Sequence, residues 1–164
     1  MNFWVKTILF LLISMVIHYA GKMIPGFFLH FFLPTQESIF QHTKIIFYAY
    51  LIVNLIDWKY FKANVYKVIF IATIMTYPMM LIFYLPTSLF GAMEHFWSEF
   101  AWAIGATYLT GFVTLTIEKG IAVRGKMLEV VSVILFCIMI FLLARFTYVE
   151  PWVDYFQIPI TNYK

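Results

Sequence analysis

Long apolar runs separated by short polar interruptions dominate this chain. A helix needs about 20 predominantly apolar residues to cross the hydrocarbon core of a bilayer. Five runs approach that length, at about 4–20, 39–56, 65–85, 96–117 and 127–146, each bounded by charge or turn residues. The pattern predicts an all-α fold, an integral membrane bundle of five transmembrane helices, as a single domain over residues 1–164. The first run, with Lys6 ahead of "ILFLLISMVI", has some likeness to a secretion signal. Cleavage after Ala20 would put bulky His18 where a small residue is needed, so a retained helix is expected. Pro78, inside the third run, removes a backbone donor and predicts a kink.

Composition agrees with the pattern. Of 164 residues, 63% are apolar and only 12% charged, too much hydrocarbon for a soluble domain of this size to hide. The 19 Phe, 11 Tyr and 5 Trp suit a surface that meets lipid tails and headgroups. Membrane lipids are therefore the expected partners, with a homo-oligomer or a membrane complex as further candidates. The net charge of +3 is small and its cations are scattered, which argues against nucleic-acid binding. Cys137 stands alone in an apolar run and is expected to be a buried or lipid-facing side chain.

Charge orders the two sides. With five spans, Lys6, Lys59, Lys62, Lys67, Lys119, Arg124 and Lys126 share the side of the amino terminus, against Lys22, Lys44, Arg145 and Lys164 opposite. Cytoplasmic loops carry the excess of Lys and Arg, so the amino terminus is expected to be cytoplasmic and the protein a multi-pass protein of the cell membrane. All four histidines then fall in the extracytoplasmic half, with Glu37, Glu94, Glu99, Glu150 and Asp154. The outer connections "KMIPGFFLHFFLPT" and "TYVEPWVDYFQIPITNYK" are aromatic and apolar, and are expected to lie on the membrane surface.

The candidate chemistry lies where the second and fourth runs begin. In "LPTQESIFQHTK", Thr35 is a candidate cap and Glu37 is expected in the first helical turn, where the unpaired amides favour a carboxylate. At 100° per residue, Glu37, Gln41 and Lys44 share one face, Ser38 and His42 share the adjacent strip, and Lys44 has the reach to snorkel outward. In "EHFWSEF", Glu94 and Ser98 are four apart, as are His95 and Glu99. His18 stands in the last outer turn of the first run. Such groups in a membrane helix are expected to face the bundle interior, one another or a wet path.

Two chemical sets follow. Glu37, Ser38, His42 and Lys44 are the catalytic candidates; His18, His42, His95 and Glu99 are the metal-ligand candidates, with Glu37 as an alternative to His18. Zinc or another divalent metal suits such ligands, and with an open position for water the site would be a metal-dependent membrane hydrolase. The spacing does not match H-E-x-x-H or any cysteine-rich signature, and no G-x-S-x-G elbow, phosphate loop or dinucleotide fingerprint is present.

Other features read as structure. Gly105 and Gly111 in "AIGATYLTG" suggest a close helix-packing face. Asn54 and Asp57 suggest interhelical or interfacial contacts, and Arg145 an ion pair with Glu150 or another outer carboxylate. "FFLPTQESIF" and "FYLPTSLFGAMEHF" share L-P-T ahead of an acidic helix start, a faint echo of a two-span repeat.

The E-S-x-x-x-H-x-K block resembles a family of small prokaryotic multipass membrane proteins classed only as a domain of unknown function, with a pattern like P-V-N-E-S-I-W-E-H-L-K. Pro34, Glu37, Ser38, His42 and Lys44 match it; Thr35 and Gln36 replace Val-Asn, and Phe40 and Gln41 replace Trp-Glu. His18-Tyr19 and the tail "TYVEPWVDYFQIP" extend the likeness toward both ends. The resemblance implies a multipass fold with this block as its signature and no known reaction. Three functions stay open: a polar pocket that binds a metal or a lipid headgroup, a small transporter or channel-like protein, and a structural or assembly subunit whose polar block only ties helices together.

Overall fold

The computed structural model describes residues 1–24, 29–34, 38–89 and 96–149. The described residues form, in order, α1 (Phe3–Met23), a 3-10 turn (Leu29–Phe31), α2 (Ile39–Ile56), α3 (Trp58–Ala63), α4 (Val65–Ile74), α5 (Thr76–Leu89), α6 (Phe96–Gly120) and α7 (Lys126–Tyr148). The described residues contain no strand. Among the described residues, four stretches are long and apolar enough to cross a membrane: Phe3–Gly21, Val65–Ile82, Phe100–Gly120 and Lys126–Tyr148. The protein is all-helical, with the helices of a membrane-embedded chain.

Helix faces are inverted relative to a soluble protein. On α1, Trp4, Ile8, Leu12, Val16, Tyr19 and Met23 form an exposed stripe, while Lys6, Thr7, Phe10, Ser14 and Ile17 are buried. The same inversion places Gln41, Lys44, Asn54, Thr110, Thr114 and Glu118 inside. Polar groups inside and apolar groups outside are the arrangement a lipid surround favours, because only the interior supplies hydrogen-bond partners. Cys137 follows the rule on the exposed face of α7.

Helix α2 is the hub, packing on α1, α3, α4 and α5 and meeting α7 through the stacked rings of Phe47 and Phe136. Its residues from Thr43 to Tyr50 are all buried. Shielded by neighbours on all sides, α2 can carry Gln41, Lys44 and Asn54 without exposing them to hydrocarbon. Ser38 caps its start, accepting from Gln41 N at 3.3 Å. That corrects the expected cap: the helix begins two residues after Glu37, which precedes the cap and is not in the first turn, and both Glu37 and Thr35 lie outside the described residues.

Pro78 breaks the third run in two. Pro78 has no N–H for the Ile74 carbonyl and its ring crowds that carbonyl, and the helix is interrupted at Met75, between α4 and α5. The Thr76 hydroxyl donates to the Thr73 carbonyl at 2.8 Å, giving a neighbouring carbonyl a partner at the break. The L-P-T echo ends here too. Leu85, Pro86 and Thr87 lie within α5, whereas Leu33 and Pro34 are non-helical.

Two glycines permit close packing. A Cβ on Gly111 would sit 2.5 Å from Phe10 Cδ1, so α1 presses its Phe10 ring onto α6 there. Gly105, expected on the same face, has nothing within 4 Å. Gly21 has the tighter fit, since a Cβ would lie 2.2 Å from the Pro34 carbonyl oxygen, which holds the segment before α2 against the end of α1.

Candidate functional site

Polar groups gather at both ends of the bundle. At one end the last turns of α1 bring His18 to the start of α2, and the His18 and His42 rings lie 5.5 Å apart, tilted by 34°. His42 Nδ1 is 2.9 Å from the Ser38 carbonyl. A carbonyl only accepts, so Nδ1 carries the proton in this contact. Ser38 thus does two jobs, capping α2 with its hydroxyl and orienting His42 with its carbonyl.

A cavity of about 80 Å³ descends from the imidazole pair among α1, α2, α5 and α6. His18, Tyr19 and His42 form its polar end; Leu11, Met15, Ile45, Ile46, Met79, Phe100, Ala103 and Ile104 make the rest mostly hydrocarbon, with Ser14 and Thr107 between. The Ser14 hydroxyl donates back to the Phe10 carbonyl at 2.8 Å. The arrangement is an apolar slot with hydrogen-bonding groups at one end.

Lys44 does not snorkel. It is fully buried, and its Nζ donates to the His30 carbonyl at 2.7 Å and to the Thr147 hydroxyl at 3.4 Å. The 3-10 turn and the end of α7 fold over the ammonium and accept hydrogen bonds from it. Lys44 therefore clamps a connection and α7 onto α2. Arg145 caps its own helix, donating to the Val149 carbonyl at 3.2 Å; Glu150, its expected partner, lies outside the described residues.

Of the expected site residues, the structure brings together His18, Ser38 and His42. Glu37, Glu94 and His95 lie outside the described residues, as do the side chains of Ser98 and Glu99. Among the described residues no group of three or more His, Cys, Asp or Glu is placed to hold a metal ion.

The opposite end holds a network that sequence reading did not single out. Lys6 Nζ donates to Glu118 Oε1 at 2.8 Å and to Asn54 Oδ1 at 2.7 Å, and sits 4.3 Å from the centre of the Tyr60 ring. The Tyr50 hydroxyl donates to Glu118 Oε2, and Asn54 Nδ2 donates to the Tyr50 carbonyl. Lys6, Asn54, Tyr50 and Glu118 are all buried. Burial, then the Glu118 carboxylate, pushes the Tyr60 phenol above its usual value, so that ring faces Lys6 as a neutral π surface. The signal in the sequence was the matched depth of Lys6 and Glu118, each within about a turn of the same end of its run. Asn54 makes the interhelical contact expected of it.

The chain matches no protein-family model, no curated protein and no solved structure.

Proposed function

We propose that the protein binds a membrane amphiphile, with the headgroup at His18 and His42 and the adjoining apolar segment in the cavity among α1, α2, α5 and α6. The observation that carries this reading is the polarity gradient along that cavity, from two imidazoles to a wall of Leu, Ile, Met and Phe. A volume of about 80 Å³ takes about three water-sized groups, enough for the first carbons below a headgroup. Two methionines in the wall give it an adaptable shape.

In this reading the protein has five spans, α2 being the fifth, with its amino terminus in the cytoplasm and the imidazole end on the extracytoplasmic side of the cell membrane. The basic residues clustered at the Lys6 end support that orientation. Pro34, Ser38, His42 and Lys44 are what the described structure holds of the block shared with the family that the chain resembles. Their joint role, packing on the end of α1, capping α2, orienting His42 and clamping α7, supports treating the block as one unit.

Native mass spectrometry of the full chain, extracted in a mild detergent, tests the binding. Co-purified lipid is expected on the wild type, reduced about tenfold in occupancy constant by His42→Ala, the loss of one charge-assisted or strong hydrogen bond, and abolished by Ala103→Trp, which fills the slot. Equal lipid retention by a folded Ala103→Trp protein overturns the reading. Stoichiometric zinc in the wild type that is lost in His42→Ala would replace it with the metal reading.

A further inference from the structure

The Lys6 end carries a second cavity, unrelated to the imidazole slot. It lies between the corner joining α3 to α4 and the connection from α6 to α7, with a volume of about 340 Å³. Lys62, Lys67 and Arg124 line it, with Glu129 as the carboxylate in its wall. The two ion pairs found among the described residues, Lys6 with Glu118 and the Met1 amine with Asp57, use none of these four. Three cations and one anion around one cavity leave a net charge of +2 directed at it.

The start of α4 adds to that field. Asn64 occupies the cap position but its side chain does not cap; its amide donates instead to the Tyr60 carbonyl at 3.0 Å. The first α-helical hydrogen bond is Val68 N to Asn64 O, so the amides of Val65, Tyr66 and Lys67, all in the cavity lining, come before it. Amides at a helix start together with Lys and Arg side chains are the donor set that phosphate oxygens take. Position points the same way. The membrane-length stretches Val65–Ile82, Phe100–Gly120 and Lys126–Tyr148 begin or end around this cavity, which puts it at the depth of lipid headgroups.

We propose that this cavity binds a phosphate group, held by Lys62, Lys67 and Arg124 over the start of α4. At headgroup depth the anionic phospholipids of the adjacent leaflet are one source of that group, and free phosphate is the other. Glu129 opposes binding by its charge and sets an upper limit on affinity. The site is independent of the imidazole slot and binds whether or not that slot does.

The test is lipid titration of the full-length protein in detergent, read by native mass spectrometry, with dioleoyl phosphatidic acid against dioleoyl phosphatidylcholine. The wild type is expected to favour phosphatidic acid by tenfold or more. The triple variant Lys62→Ala/Lys67→Ala/Arg124→Ala is expected to lose that preference, since each cation near a headgroup contributes roughly a fivefold factor. Glu129→Gln is expected to bind severalfold tighter, a gain of function that misfolding cannot produce, and the triple variant is compared with the wild type at equal thermal stability in detergent. Competition by millimolar inorganic phosphate assigns the site to free phosphate as well; phosphatidic acid binding that phosphate does not displace assigns it to the lipid. An undiminished preference in the triple variant, or an equal loss in Lys59→Ala, whose cation lies outside the cavity lining, overturns the proposal.

Discussion

Lys6 Nζ lies 2.8 Å from Glu118 Oε1, an ion pair with only 7% and 6% of the two side chains exposed. It joins the first turns of α1 to the last turns of α6, and Asn54 and Tyr50 on α2 complete the shell. Removing one member leaves the other charged and buried, which costs about 3–5 kcal/mol, whereas replacing both by apolar residues of similar size is close to neutral. Lys6→Met and Glu118→Leu are each expected to destabilise strongly, and the double variant Lys6→Met/Glu118→Leu much less than their sum. A double-mutant cycle on unfolding in detergent measures this; strictly additive single effects would contradict it.

Two tyrosines two residues apart are expected to respond with opposite sign. The Tyr50 hydroxyl donates to Glu118, while the Tyr48 hydroxyl is buried with no hydrogen-bond partner among the described residues. Tyr50→Phe is expected to lose about 1.5–3 kcal/mol, the range for a bond to a charged acceptor, and Tyr48→Phe to be neutral or stabilising by about 1 kcal/mol. Thermal unfolding of the two variants side by side checks the signs.

Gly111 and Gly105 make a similar pair on α6. Gly111→Ala drives a methyl into the Phe10 ring, which is fully buried, and an overpacked contact of this kind costs about 1–3 kcal/mol. Gly105→Ala meets nothing and gains helix propensity of roughly 0.5–1 kcal/mol. Loss of folded yield in the second but not the first would show that α1 and α6 do not pack as described.

The apolar runs were legible because a lipid surround writes its requirement into every residue of a span; α1, α2, α6 and α7 lie within a few residues of the runs read from sequence. The interruption before Pro78 was legible because a missing amide is local. Pairing was not. Lys6 was read for its side of the membrane, yet its contacts come from Asn54, 48 residues on, and Glu118, 112 residues on. Lys44 looked free to reach water because periodicity says nothing of a turn and a helix end folding over it. Short α3 was hidden in "DWKYFKANVYK", whose lysines read as a charged loop, and none of its residues is buried. The Gly21 contact with Pro34 was hidden for the same reason: neither residue shows in its own pattern that it faces the other.

Orientation has a direct test. In a Cys137→Ser background, an impermeant maleimide applied to intact cells is expected to label Phe32→Cys, which is half exposed at the imidazole end, and not Arg124→Cys at the other. Labelling of Arg124→Cys alone would place the amino terminus outside.

The central claim is that an amphiphile lies in the slot beneath His18 and His42. A phospholipid carrying a diazirine near the head end of its acyl chain, photolysed with the full-length protein in bilayers, reports the lodging place by peptide mapping. Crosslinks concentrated on Leu11, Met15, Ala103 and Ile104 in the wild type, and lost in Ala103→Trp, are the predicted result. Crosslinks spread over the exposed faces of α1 and α7, through Val16, Ile134, Ile138 and Phe141, with none in the slot and no change in Ala103→Trp, would contradict it.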